Sequence, residues 1–179
     1  MKKAKIDISS MTKMAIFIAL LCICSYIVIP LPFSLSPLTL HTLVLNLCIL
    51  ILKPKYSIFT VVIYLLLGGI GLPIFSNGNG GIAYLLGPQG GFYFGFLLSV
   101  ILTSLLIKNT YSNIKLGLIL LSVLVIQHIC GIIFFTIYTQ TDILTSFLTM
   151  SLPFIIGDII KIILSITIFN TIKKALKLS

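Results

Sequence analysis

The chain has no arginine and no glutamate, and its three acidic residues are Asp7, Asp142 and Asp158. With so few carboxylates there is no paired set for general acid and base work. His-Glu-x-x-His, Gly-x-Ser-x-Gly and Walker A patterns are likewise missing, so hydrolase and phosphotransferase chemistry has no carrier. A net charge of +9 could suggest nucleic acid, but the twelve basic residues are all lysines, scattered singly or in pairs through apolar sequence. Cys22, Cys24, Cys48 and Cys130 all lie in apolar stretches without Cys-x-x-Cys spacing, and the two histidines, His41 and His128, are far apart. Neither a disulfide framework nor a metal site is indicated.

What is present is hydrophobic sequence. Of 179 residues 59% are hydrophobic and 8% charged, with a mean hydropathy of +1.24, a composition that belongs in lipid. Apolar segments at about 13–29, 38–52, 56–71, 91–107, 116–138 and 151–171 are separated by Pro, Gly, Ser, Asn or Lys clusters. They predict an all-α transmembrane bundle of six helices, a single membrane domain over 1–179. The second and third segments are short: about 15 residues rise roughly 22 Å against a hydrocarbon core of roughly 30 Å, so they need shielding by neighbours. The basic start followed by an apolar run without a small-residue cleavage site predicts an uncleaved first span. With both termini cytoplasmic, eleven of the twelve lysines fall on the inner side and only Lys161 is left over. A multi-pass cell-membrane protein follows.

The predicted outer connections are Pro30 to Pro37, Gly71 to Gly90 and roughly Thr139 to Ser146. The middle one, between helices 3 and 4, is long and Gly-rich yet holds Ile82, Tyr84, Leu85 and Leu86, which predicts that it folds back over the bundle as a lid or re-entrant turn. The run Gly78-Asn-Gly-Gly-Ile-Ala83 formally satisfies a nucleotide fingerprint, but no strand precedes it and it falls on the outer side. Backbone amides plus the Asn79 side chain offered to a polar ligand, or ordinary turn-making, remain as its two readings.

Asp158 and Lys161 stand three residues apart on the last segment and share one helix face. Each charge costs about 2.5 to 3.5 kcal/mol near a helix centre, while each Ile, Leu or Phe returns about 0.3 to 0.6, so this segment inserts only with help from its neighbours. Ionised residues in such a place face the bundle interior and mark a solute site, or else form a staple that neutralises itself. At about 10 Å below the outer end of the span, Asp158 is deep enough to form the floor of an outward-opening pocket. Ala15-x-x-x-Ala19 puts two small side chains on one face of the first segment, which allows close approach of another helix. His41 and His128, without acidic companions at catalytic spacing, read as satisfied core or pocket residues.

The ordered set Pro32-Phe-Ser-Leu-Ser-Pro-Leu-Thr-Leu-His-Thr42, Lys53-Pro-Lys-Tyr56, Gly68-Gly-Ile-Gly-Leu-Pro-Ile-Phe75, Gly78-Asn-Gly-Gly81, Gly87-Pro-Gln-Gly-Gly-Phe92 and Gly157-Asp-Ile-Ile-Lys161 resembles the BioY family, the biotin-binding S components of energy-coupling factor (ECF) transporters. The resemblance runs from the first apolar segment to the last. It implies a six-helix S component that takes biotin from outside as its transported ligand, has no cofactor of its own, and works with a transmembrane coupling protein (EcfT type) and a pair of ABC ATPases. It implies that Asp158, Lys161 and Asn79 hold biotin and that Ala15 and Ala19 dock on the coupling protein; Tyr93, Phe92, Gly91, Thr39 and His41 are the residues expected to surround the ligand. Two positions depart from the family pattern, His41 where relatives often carry Gln and Tyr93 where some carry Arg. An S component for another vitamin, or a small membrane channel or membrane enzyme, are the alternatives.

Overall fold

A computed structural model of the protein describes residues 7–29, 37–106 and 112–175, with the side chains of residues 104 and 105 outside that description. The expected outer connection Pro30 to Pro37 therefore lies, except for Pro37, outside the described residues. In chain order the elements are α1 (Ile8–Cys24), β1 (Val28–Ile29), β2 (Leu38–Thr39), α2 (His41–Ile51), α3 (Pro54–Gly69), a 3-10 turn (Ser76–Gly78), α4 (Ile82–Leu85), α5 (Gly90–Leu106), α6 (Asn113–Thr139), α7 (Ile143–Met150) and α8 (Leu152–Ala175). By length and composition α6 and α8 can each cross a membrane unaided; α1, α2, α3 and α5 are shorter apolar helices.

The helix ends follow local chemistry. Asp7 caps α1 by accepting from the Ser9 N–H at 3.3 Å. Pro54 opens α3, where its missing N–H costs nothing. Asp142 caps α7 through the Thr145 N–H at 3.0 Å, and the hydrogen bonds from Thr145 hold its exposed carboxyl below the usual carboxylate range. Lys173 and Lys174 sit in the last turn of α8, favourable against the helix dipole.

Three features differ from the sequence expectation. The first helix ends at Cys24, because the Ser25 hydroxyl turns back to the Cys22 carbonyl at 2.6 Å, and Val28 and Ile29 then pair antiparallel with Thr39 and Leu38. The all-α description therefore needs one two-residue ribbon added. The connection expected from Thr139 to Ser146 contains the start of α7, a capped helix. The long loop 71–90 carries the 3-10 turn and the four-residue α4.

That long loop packs against the bundle. Phe75 is fully buried, its ring lying where a side chain on Gly68 would stand, since a Cβ there would meet it at 2.1 Å. The Gly81 N–H reaches the Gly68 carbonyl at 2.7 Å, the Asn77 N–H reaches Ser25 O at 3.0 Å, and the Tyr26 hydroxyl donates to Pro73 O at 2.6 Å. Asn77, Gly78 and Gly81 have positive φ, which explains the Asn and Gly content of the turn.

α5 packs along α6 and α3, α3 along α1, and α8 along α2 and α6. The short α2 has no exposed residue; neighbours surround it, so its 11 residues need not match a bilayer. α6 is apolar outside and more polar inside: Leu118, Val125, Ile129, Ile133 and Ile137 are exposed, whereas Gln127 and His128 are buried. A helix whose exposed face is the more apolar one fits lipid better than water.

Candidate binding site

Polar side chains from α2, α6 and α8 converge on Asp158. Lys161, one turn further along α8, donates to Asp158 Oδ1 at 2.8 Å, and the Thr42 hydroxyl of α2 donates to the same oxygen at 3.0 Å. His128 Nε2 lies 3.2 Å from Oδ2. A carboxylate only accepts, so Nε2 carries the hydrogen. The other ring nitrogen, Nδ1, is 2.9 Å from Ser151 Oγ. Asp158 and Lys161 are 5% and 6% exposed, so each charge is neutralised inside the protein rather than by solvent.

Above this floor lies a cavity open at one end, lined by residues of α2, α5, α6, α8 and the loop end of the bundle. Phe92, Tyr93 and Phe96 on α5 and Phe154 on α8 form apolar walls. Phe92 meets His128 edge to face at 5.9 Å, and its ring lies against Gly131 of α6, where a Cβ would come within 2.6 Å. Pro37, Thr39, Ser76 and Gln89 come from the loop end of the bundle and form the rim.

A second hydrogen-bonded chain fixes one wall. The Tyr64 hydroxyl donates to the Ile74 carbonyl at 2.9 Å and lies 2.9 Å from His41 Nε2. Its single hydrogen is used on the carbonyl, so His41 donates through Nε2, and Nδ1 accepts from the Thr39 hydroxyl at 3.1 Å. This chain ties the long loop to the start of α2. Tyr64→Phe keeps the ring packing and leaves both the Ile74 carbonyl and the His41 N–H without this partner. It is expected to cost about 1 to 3 kcal/mol, read as a lower melting temperature in detergent. An unchanged melting temperature would show that the loop is held by other contacts.

Of the residues singled out in the sequence, Asp158, Lys161, Thr39, His41, Phe92 and Tyr93 all line this cavity. The Tyr93 hydroxyl accepts from the Ser76 N–H at 2.9 Å and so joins α5 to the loop. Asn79 and Gly91 stand elsewhere. Asn79 is exposed, and its amide donates to the Ser76 carbonyl at 2.7 Å, closing the turn. Gly91 packs against α6, where a Cβ would come within 2.4 Å of the Cys130 carbonyl. Ala15 and Ala19 are exposed on α1, away from the cavity.

Thr42 and Gln127 are not assigned to the site from sequence, and His128 reads there only as a satisfied core or pocket residue. They are neutral or weakly basic, and their partners are remote: His128 and Asp158 are 30 residues apart. A polar residue in an apolar segment was the one signal available for Gln127, whose amide donates to Ser99 Oγ at 3.3 Å.

A sequence model of the BioY family matches residues 1–178. Among curated proteins the chain is 35% identical to "Biotin transporter BioY2" of Lactococcus lactis subsp. cremoris, over 90% of this chain and 87% of that one. It is 33% identical to "Biotin transporter BioY" of Thermotoga maritima, over 90% and 94%. Among solved structures, the crystal structure of the S-component for biotin from an ECF-type ABC transporter superposes with a TM-score of 0.85 at 30% identity, covering 93% of this chain and 92% of that one.

Proposed function

The chain belongs to the BioY family, and from that premise we propose that it is the substrate-binding S component of an ECF-type ABC transporter, a membrane protein that captures biotin from outside. The observation that carries the reading is the buried Asp158–Lys161 pair at the floor of an aromatic-walled cavity. Biotin's ureido ring has two N–H donors and one carbonyl acceptor, and a carboxylate beside an ammonium supplies both complements on one face. Asp158 accepts from the ureido N–H, Lys161 donates to a biotin oxygen, and Phe92 and Tyr93 pack on the bicyclic ring. Thr39 and His41 flank it. Asn79 serves the site by holding the Ser76 turn, and Gly91 by setting how closely α5 approaches α6.

In this reading the six helices of 11 residues or more among the described residues cross the membrane with both termini inside, and the cavity mouth faces out. Inward delivery uses an EcfT-type coupling protein, docked on Ala15 and Ala19, and two ABC ATPases; this chain hydrolyses nothing itself. Calorimetry of the detergent-purified protein with biotin tests the reading. A saturable one-to-one isotherm with biotin, unchanged when the protein is first saturated with other vitamins, is the expected result. Competition by a different vitamin would move the assignment within the S components. No binding, together with ion conductance in liposomes, would replace it with a channel.

A further inference from the structure

The cavity has a charged end and an uncharged end. Among the described residues its lining holds one lysine, Lys161, already 2.8 Å from Asp158 at the floor, where His128 also lies 3.2 Å from the carboxylate. The chain has no arginine, and no lysine falls in 14–52, 56–107 or 116–160, the stretches that supply the rim. The rim residues Thr39, Ser76 and Gln89 are neutral, and so is Tyr93, which joins the rim to α5. Some rim amides have partners within the protein: the Ser76 N–H goes to the Tyr93 hydroxyl and the Phe92 N–H to the Gln89 carbonyl.

An elongated solute with an anionic tail and a neutral cyclic urea can enter in two orientations. Tail first, its carboxylate would come beside Asp158, placing two negative charges around one ammonium in a poorly solvated site, which is unfavourable. Ring first, a neutral group enters that both donates and accepts, and the charge of the floor is unchanged. The tail then ends among neutral side chains that can donate to a carboxylate or to an amide oxygen, and that can also accept from an amide N–H.

We infer that this protein recognises the ureido bicycle and not the tail charge, so that its substrates include biotin derivatives whose carboxylate is masked as an amide. This rests on the biotin reading above. The experiment measures affinities of the purified protein at pH 7.5 for biotin, for biotinamide, in which the carboxylate is a primary amide, and for biotin methylated on a ureido nitrogen. Biotinamide is expected to bind within about tenfold of biotin, and the N-methylated compound at least about a hundredfold more weakly. Biotinamide weaker by more than about tenfold would overturn the inference, as would an N-methylated compound that binds like biotin. Failure of biotin itself to bind would instead remove the reading on which the inference rests.

Discussion

Asp158→Asn is expected to weaken biotin binding by about 100-fold or more in purified protein. The substitution keeps the shape of the side chain and removes its charge. Three donors now converge on the carboxylate, from Lys161 at 2.8 Å, Thr42 at 3.0 Å and His128 at 3.2 Å. An amide has one oxygen for them and turns an NH2 group toward the others, and the Lys161 ammonium is left buried without its counter-ion. Breaking a buried pair from one side costs about 3 to 5 kcal/mol, and each 1.4 kcal/mol is about tenfold in affinity when the loss falls on binding. Part of that cost falls on folding instead, so stability has to be separated from binding. The doubly neutral variant Asp158→Asn/Lys161→Gln does this: it leaves no orphan charge and is expected to melt closer to wild type than Asp158→Asn alone. It still lacks the anionic acceptor and the cationic donor for the ureido group, so its biotin affinity stays low. Near-native binding by the double variant would mean that the pair is only a staple, and the proposed ring contacts would fall with it.

The same pair shows what was legible in the sequence. Ionised residues in an apolar run stand out because lipid penalises them, and their spacing of three fixes a shared face without any knowledge of the fold. The helices were legible for the related reason that long apolar runs must satisfy their backbone internally. The pairing of His128 with Asp158 was not, since nothing in its own segment announces a partner on α8, and Thr42 and Gln127 are polar residues of kinds that often sit buried with local partners. Asn79 shows the opposite difficulty. An Asn among glycines suits a ligand-binding loop and a tight turn equally well; in the structure its amide is used on the Ser76 carbonyl. The ribbon of Val28–Ile29 with Leu38–Thr39 and the capped α7 are too short for periodicity to mark.

Gly91 carries the other large expected effect, and it concerns packing. Gly91 and Gly95 lie one turn apart on α5, a Gly-x-x-x-Gly pair that no ionised residue draws attention to. A Cβ at Gly91 would meet the Cys130 carbonyl oxygen at 2.4 Å and Phe134 Cβ at 2.5 Å; one at Gly95 would meet Gln127 Cα at 2.9 Å. Two of these three obstacles are backbone, which cannot rotate aside, so the helices themselves must separate. Small residues at helix crossings in lipid permit the close approach on which association depends, and there is no hydrophobic gain to compensate its loss. The seam also sets the cavity, because α5 carries Phe92, Tyr93 and Phe96 while α6 carries Gln127 and His128. Gly91→Ala is therefore expected to cost about 1 to 3 kcal/mol, a melting temperature lower by about 5 °C or more, with biotin affinity falling in parallel as the walls move apart. Gly91→Leu is expected to prevent recovery of folded protein. Gly117→Ala is the control: it lies on the same α6, but its nearest neighbour would be an Ile166 methyl at 3.8 Å, an ordinary contact. Equal melting temperatures for Gly91→Ala and Gly117→Ala would show that α5 and α6 have room to spare, and that the width of the site is fixed elsewhere.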